Sequence, residues 1–218
     1  MEKRVLFNWD KMLLEEILVT PEKTALVVID VVNDICEFGF RYDQKKWDIN
    51  SIRKMVENSL LPFISRSKEA QVQIIFVKSS YTPRQFENDA HPILNFCIGG
   101  TEGAEFYRLR QEDANYIYTK RQHSALFELP YEEGRVTELH KWLQERDIQQ
   151  PIIVGVTGTN CVPRNVDDAV KLRYKVILPR DCMASRGQRI EQQLLNIRGY
   201  EEHPEVIVVN SERINYQV

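Results

Sequence analysis

Six short runs along the chain are apolar throughout and rich in β-branched residues. They are 24–29 (TALVVI), 72–77 (VQIIFV), 116–119 (YIYT), 151–156 (PIIVGV), 175–178 (KVIL) and 206–209 (VIVV). Runs without polar alternation suit strands covered on both faces. Between them apolar residues recur at three- and four-residue steps. The stripes are Ile52, Val56, Leu60 and Phe63-Ile64; Val136, Leu139 and Leu143; Val166, Ala169-Val170 and Tyr174; and Ile190, Leu194 and Ile197. Strand and helix in repeated alternation predict an α/β fold: a doubly wound, mostly parallel six-stranded sheet with helices on both faces, a Rossmann-like three-layer α/β/α arrangement. Right-handed crossovers then bring the carboxyl ends of the strands to one edge, where sites form. The stretch 81–108, with Pro83, Pro92, Gly99, Gly100 and Gly103, reads as a long loop over that edge with a short helix near Glu105. No repeat or linker interrupts the pattern, so residues 1–218 read as a single domain.

Composition narrows the function without naming it. Apolar residues make up 43% and charged residues 28% of 218, and the formal net charge is −3. No basic excess is present to neutralise phosphates, which argues against a nucleic-acid partner. The longest apolar runs are far too short to span a bilayer, so no membrane partner is expected either. Cys36, Cys97, Cys161 and Cys182 are widely spread, with neither zinc-ribbon nor disulfide spacing. A cytoplasmic setting is the simplest expectation.

The chemistry lies at three strand ends. The first run is followed by Asp30, the third by Lys120, and the fourth by Gly155-Val156-Thr157-Gly158-Thr159-Asn160-Cys161, where a helical pattern begins at once. A cysteine in the first turn of a helix feels the positive end of the helix dipole, and a nearby ammonium strengthens the effect, so a lowered thiol pKa is expected. A tight turn of small residues can aim N–H groups at a developing oxyanion, and Asp30 could carry the thiol proton. Each residue also has an ordinary reading. Asp after a strand is often a turn former, Lys at a strand end is usually solvated, and a lone Cys is often a small buried hydrophobe.

Taken together the motifs resemble those of the isochorismatase-like cysteine hydrolases. Val28-Ile29-Asp30-Val31-Val32-Asn33-Asp34 looks like the family's V-I-D-x-Q-N-D-F opening. Lys120-Arg121-Gln122-His123-Ser124-Ala125-Leu126-Phe127 is similar to K-x-x-x-S-A-F, and Gly155-Val156-Thr157-Gly158-Thr159-Asn160-Cys161-Val162 to G-V-x-T-x-x-C-V. Asp168-Ala169 and Asp181 continue the pattern, which runs in order from about Thr24 to Val209. The resemblance implies a catalytic triad of Asp30, Lys120 and Cys161, a cis peptide at Val156-Thr157, and an oxyanion hole from the N–H groups of Thr157 and Cys161. It also implies a hydrolase acting on a small-molecule substrate through a thioester, and a homo-oligomer, dimer or tetramer. The segments 211–218 and 8–18 are natural interface candidates.

Departures from the family pattern bear on substrate. Val32 stands in place of the usual Gln, Ile35 and Leu126 in place of Phe, and Gly158 in place of Thr. Where metal-containing nicotinamidases of the family carry Asp-x-His-Pro, this chain has Ser80-Tyr81-Thr82-Pro83, so no metal and no cofactor are expected. Tyr81, Phe127, Phe38 and Trp47 are candidates for lining the pocket, though each is equally well an ordinary core or interface aromatic. The thiol favours hydrolysis of an amide, urea-like or carbamoyl compound. An isochorismatase-type enol-ether hydrolase and an idle ligand-binding scaffold stay open. Ser65-Arg66-Ser67-Lys68 matches S-x-x-K by chance on a helix, and Gly99-Gly100-Thr101-Glu102-Gly103 follows no strand. Cys182, after the fifth run, reads as structural.

Overall fold

A computed structural model of the chain describes residues 16–83, 95–128, 134–187, 199–200 and 203–217. The main sheet holds β2 (Thr24–Ile29), β3 (Gln73–Ser79), β4 (Tyr116–Lys120), β5 (Gln150–Val156), β6 (Val176–Pro179) and β8 (Val206–Val209) in the order β4-β3-β2-β5-β6-β8. Every pairing in it is parallel. A seventh strand, β7 (Met183–Ala184), pairs with Gly155 and Val156 at the end of β5. Two residues carry no periodicity, which is why six strands and not seven are legible in the sequence. A separate two-stranded parallel ribbon joins β1 (Ile17–Val19) to β9 (Ile214–Tyr216). The chain's own tail thus covers the N-terminal segment, and Leu18 is left 62% exposed.

Both faces of the sheet are buried, as uninterrupted apolar runs require. Leu26, Val28, Ile74, Phe76, Ile152 and Val154 point to one side. There they meet α3 (Asn50–Met55), a π-helical stretch (Val56–Leu60) and α4 (Leu61–Glu69), through Ile52, Val56, Leu60, Phe63 and Ile64. Pro62 has no N–H to return to the carbonyl of Asn58, and the widened turns lie directly before it. Ala25, Val27, Ile29, Ile75, Val77 and Ile153 face the other way. They pack on α5 (Glu138–Glu145) and α6 (Cys161–Lys171) through Leu139, Leu143, Val162, Val166 and Ala169. Two shorter helices, α1 (Asn33–Cys36) and α2 (Arg41–Gln44), follow β2. The stripe Ile190, Leu194 and Ile197 lies outside the described residues, as do residues 8–15 and the middle of the long loop. Of that loop, a 3-10 turn at Glu102–Ala104 stands just before Glu105.

Chain order reverses direction between β2 and β5, which are neighbours, so their carboxyl ends form the topological switch point. The strands approach closely there. Gly155 takes φ +111°, and a Cβ on it would stand 2.2 Å from the carbonyl oxygen of Ile29. Only glycine fits that backbone at that distance.

Candidate active site

Asp30 follows β2 with φ +52°, a left-handed conformation that Asp tolerates better than most residues. Its N–H donates to Val77 and its carbonyl accepts from Val32, so the turn is tied down on both sides. The carboxylate is 1% exposed. Lys120 ends β4, two strands away, a separation of roughly 10 Å. Its side chain crosses the end of β3, where Ser79 is its register partner. The small hydroxymethyl group leaves room for that crossing and joins the two charges. Lys120 Nζ donates to Ser79 Oγ at 2.7 Å, and Ser79 Oγ donates to Asp30 Oδ1 at 2.9 Å. Lys120 Nζ also lies 2.7 Å from Asp30 Oδ2 and donates to the Gln122 carbonyl at 3.0 Å. The ion pair is fully buried. Burial alone would lower the Lys120 pKa, but Asp30, then Cys161 and Tyr81, outweigh it, and the ammonium is held charged well above its usual range.

Cys161 opens α6, and its Sγ stands 3.7 Å from Lys120 Nζ. The turn before it is held by Gly158 N–H to Ala184, and by Asn160 and Val162 N–H to Thr157, whose peptide bond to Val156 is cis. The Cys161 N–H has no hydrogen-bond partner among the described residues, as befits the first residue of a helix. The thiol departs from the expectation of a lowered pKa. Burial pushes it up to about 12; Lys120 and the Thr157 N–H oppose this, while the negative charge of Asp30 and its hydrogen bond to the thiol add to it. A helix terminus and one cation, the latter already engaged by a carboxylate, do not offset complete desolvation. The direction favours the neutral thiol over the thiolate, and the Asp30 charge reinforces it.

The other sequence candidates fall into two sets. Tyr81 is buried, with its hydroxyl 3.2 Å from Ser79 Oγ, and so touches the charged cluster directly. Trp47 reaches it through other rings: Trp47 meets Tyr42 at 4.8 Å between centroids, Tyr42 meets Phe96 at 6.0 Å, and Phe96 meets Tyr81 at 5.7 Å. Phe38 is 49% exposed with the Arg53 guanidinium over its ring, and Phe127 pairs through its backbone with Val136. Cys182 is buried in the core below the site, its pKa raised by burial.

Three residues of the site escaped the sequence reading. Ser79 is the last residue of β3, and reading that strand end as the other three were read would have found it. His123 lies within a recognised motif, and its Nδ1 is 3.2 Å from Asn160 Nδ2 and 4.0 Å from Cys161 Sγ. Asn165, one turn into α6, donates to the Cys161 carbonyl at 2.7 Å and accepts from Ala125 N–H at 2.9 Å, locking the segment after Lys120 to the helix of Cys161. Among the described residues no three His, Cys, Asp or Glu side chains converge as metal ligands do.

The family model described as the isochorismatase domain matches residues 24–200, a span that contains all of these positions. The chain belongs to the isochorismatase family. This isochorismatase-family hydrolase is 26% identical over 163 residues to YaaI of Bacillus subtilis, an uncharacterized isochorismatase family protein, with 75% of this chain and 81% of that one covered. It is 23% identical over 193 residues to the ureidoacrylate amidohydrolase RutB of Acinetobacter baylyi, covering 79% of this chain and 75% of RutB. A crystal structure of an isochorismatase-like hydrolase from Alkaliphilus metalliredigens superposes with a TM-score of 0.68 at 23% identity, covering 88% of this chain and 96% of the other, and so shares the fold.

Proposed function

We propose that the chain is a metal-independent cysteine amidohydrolase that cleaves a small amide, urea-like or carbamoyl compound, with Asp30, Lys120 and Cys161 as its catalytic residues. The observation that carries the reading is the buried contact set at the switch point: Lys120 Nζ at 2.7 Å from Asp30 Oδ2 and 3.7 Å from Cys161 Sγ. A buried thiol beside a carboxylate–ammonium pair is arranged for nucleophilic attack with a base in reach. It has no evident purpose in cleaving a vinyl ether or in mere binding. The name of RutB, an amidohydrolase, agrees with this choice.

Asp30 takes the Sγ proton as the sulfur attacks the carbonyl carbon, and Lys120 offsets the negative charge that remains in the cluster. The N–H groups of Thr157 and Cys161 receive the oxyanion. As the tetrahedral intermediate collapses, the C–N bond breaks and Asp30 returns the proton to the leaving nitrogen. Water then adds to the thioester, giving its proton to Asp30, and collapse expels the sulfur, which recovers the proton. Atoms and charge balance over the cycle, and no cofactor is needed.

The test is ammonia release from a panel of amides, ureas and N-carbamoyl acids, with Cys161→Ser as the control and a chelator in a parallel arm. Release that needs the thiol and survives the chelator is expected. Pyruvate from isochorismate, undiminished in Cys161→Ser, would replace this reading by ether cleavage. The protein is further expected to assemble as a dimer or tetramer, which light scattering on the eluting species would refute by giving the mass of one chain.

A further inference from the structure

The Cys161 sulfur has two kinds of polar neighbour. Asp30 and Lys120 are each 1% exposed, whereas His123 is exposed and its Nδ1 lies 4.0 Å from Sγ. Solvent therefore reaches the sulfur past an imidazole and not past the charged pair. An exposed histidine is ordinarily a solvated side chain, but this one is presented by a fixed loop. Lys120 Nζ donates to the carbonyl of Gln122 at 3.0 Å, and Asn165 Nδ2 donates to the carbonyl of His123 itself at 3.2 Å. Just beyond, the Ala125 N–H donates to Asn165 Oδ1 at 2.9 Å. The loop on both sides of the ring is thus tied to Lys120 and to the helix of the nucleophile.

The ring is held as well as its backbone. Asn160 stands at the N-cap of α6, where an asparagine side chain ordinarily accepts from the N–H of the second or third helical residue. Here it makes no such bond. The Val162 N–H already donates to the Thr157 carbonyl, and Pro163 has no N–H, so neither calls for a cap. The Asn160 amide turns instead to the imidazole, with Nδ2 at 3.2 Å from His123 Nδ1.

We infer that His123, oriented by Asn160, positions the water that hydrolyses the Cys161 thioester. The inference rests on the hydrolase reading. A nitrogen 4.0 Å from the sulfur can hydrogen-bond a water standing roughly 3 Å from a carbon bonded to that sulfur, the separation from which attack proceeds. In the resting protein the Nδ1 lone pair faces the thiol. In the acyl-enzyme no S–H remains, and that lone pair receives one O–H of the water while the other points to Asp30. As the water oxygen bonds to the acyl carbon, the carbonyl electrons move to the oxyanion and Asp30 takes its proton. The imidazole gains and loses none. Collapse then breaks the C–S bond, releases the acid and returns the proton from Asp30 to the sulfur. Attack of the thiol on the substrate needs no water, so His123 serves the second half of the cycle and not the first.

4-Nitrophenyl acetate is the probe, because it acylates a thiol with a coloured leaving group and leaves an acetyl thioester behind. Nitrophenolate absorbance follows formation of the thioester, and rapid-quench mass spectrometry of the intact protein follows its loss from Cys161. His123→Ala is expected to form the thioester at the parent's rate and to lose it roughly 10- to 100-fold more slowly. In steady state kcat and KM should then fall together, with kcat/KM kept. His123→Gln, which retains an acceptor, should recover part of the loss, and Asn160→Ala should slow the same step by less. Hydroxylamine, a nucleophile that needs no held water, should clear the thioester from parent and variant at equal rates. Loss as fast in His123→Ala as in the parent, or formation and loss slowed alike, would overturn the inference and leave the hydrolase reading standing. No acetyl group on Cys161 of the parent would refute the hydrolase reading itself, and the inference with it.

Discussion

Two buried polar groups sit at opposite ends of the same sheet. At the carboxyl end of β2 and β4, Asp30 and Lys120 are charged, desolvated and joined through Ser79, with the Cys161 thiol against them. At the other end, in a cleft of about 530 Å³ by the start of β5, His140 Nδ1 meets the Tyr174 hydroxyl at 3.0 Å. Burial lowers the His140 pKa and pushes the Tyr174 phenol up to about 12, so that pair rests neutral. A neutral donor and acceptor that satisfy each other have nothing left to give a substrate. The charged cluster has: its ammonium lies 3.7 Å from the sulfur and 2.7 Å from a carboxylate, and a free N–H lies in the turn beside the sulfur. Perturbed ionisation alone marks both places, and the geometry of partners separates chemistry from packing.

That contrast can be broken most directly by removing one side chain from each end. Cys161→Ala is expected to reduce turnover by roughly four orders of magnitude or more. Tyr174→Phe should leave kcat and KM as they are, and a fall in either would erase the distinction. Next in size is the response of stability to lost charge. Lys120→Met strands a buried carboxylate and should cost about 3–5 kcal/mol in urea unfolding. The double variant Asp30→Asn with Lys120→Met should recover most of that stability and none of the activity. Recovery of activity would show that the pair serves folding alone.

At the other end the effects shrink. Tyr174→Phe removes one neutral hydrogen bond and should cost about 1 kcal/mol by the same unfolding measurement. The pH dependence there is smaller still. His140 has a lowered folded-state pKa, so the unfolded chain binds more protons than the folded one at acidic pH. Its contribution is therefore present above the ordinary value of 6.5 and is lost as pH falls through and below it. Melting temperatures between pH 7.5 and 5.5 should fall less in His140→Gln than in the parent, and equal slopes would contradict a neutral buried imidazole.

Much of this molecule could be read before it was folded. Short uninterrupted apolar runs rich in β-branched residues suit strands covered on two faces, and their alternation with helical stripes predicted the parallel sheet and its helices. Asp30, Lys120 and Cys161 were singled out because each stands where a strand ends, because the ends of parallel strands share an edge, and because the motifs around them resemble those of the family. What stayed hidden was short or relational. β7 has two residues and no period. Ser79 matters only because it lies between β2 and β4 in the strand order, which the sequence does not state.

The direction of the thiol's ionisation shows where the boundary lies. Residue type and a helix start argued for a lowered pKa, because a dipole and a cation are local features that a sequence reveals. Desolvation is not local. It depends on how completely Tyr81, Cys97, α6 and the turn after β4 close around the sulfur, and it outweighed both. The sequence by itself determined the fold class, the strand ends and the kinds of group placed there. Only the tertiary structure decided how deeply they are buried, which of them touch, and where the proton rests, because those depend on water excluded by residues far apart along the chain.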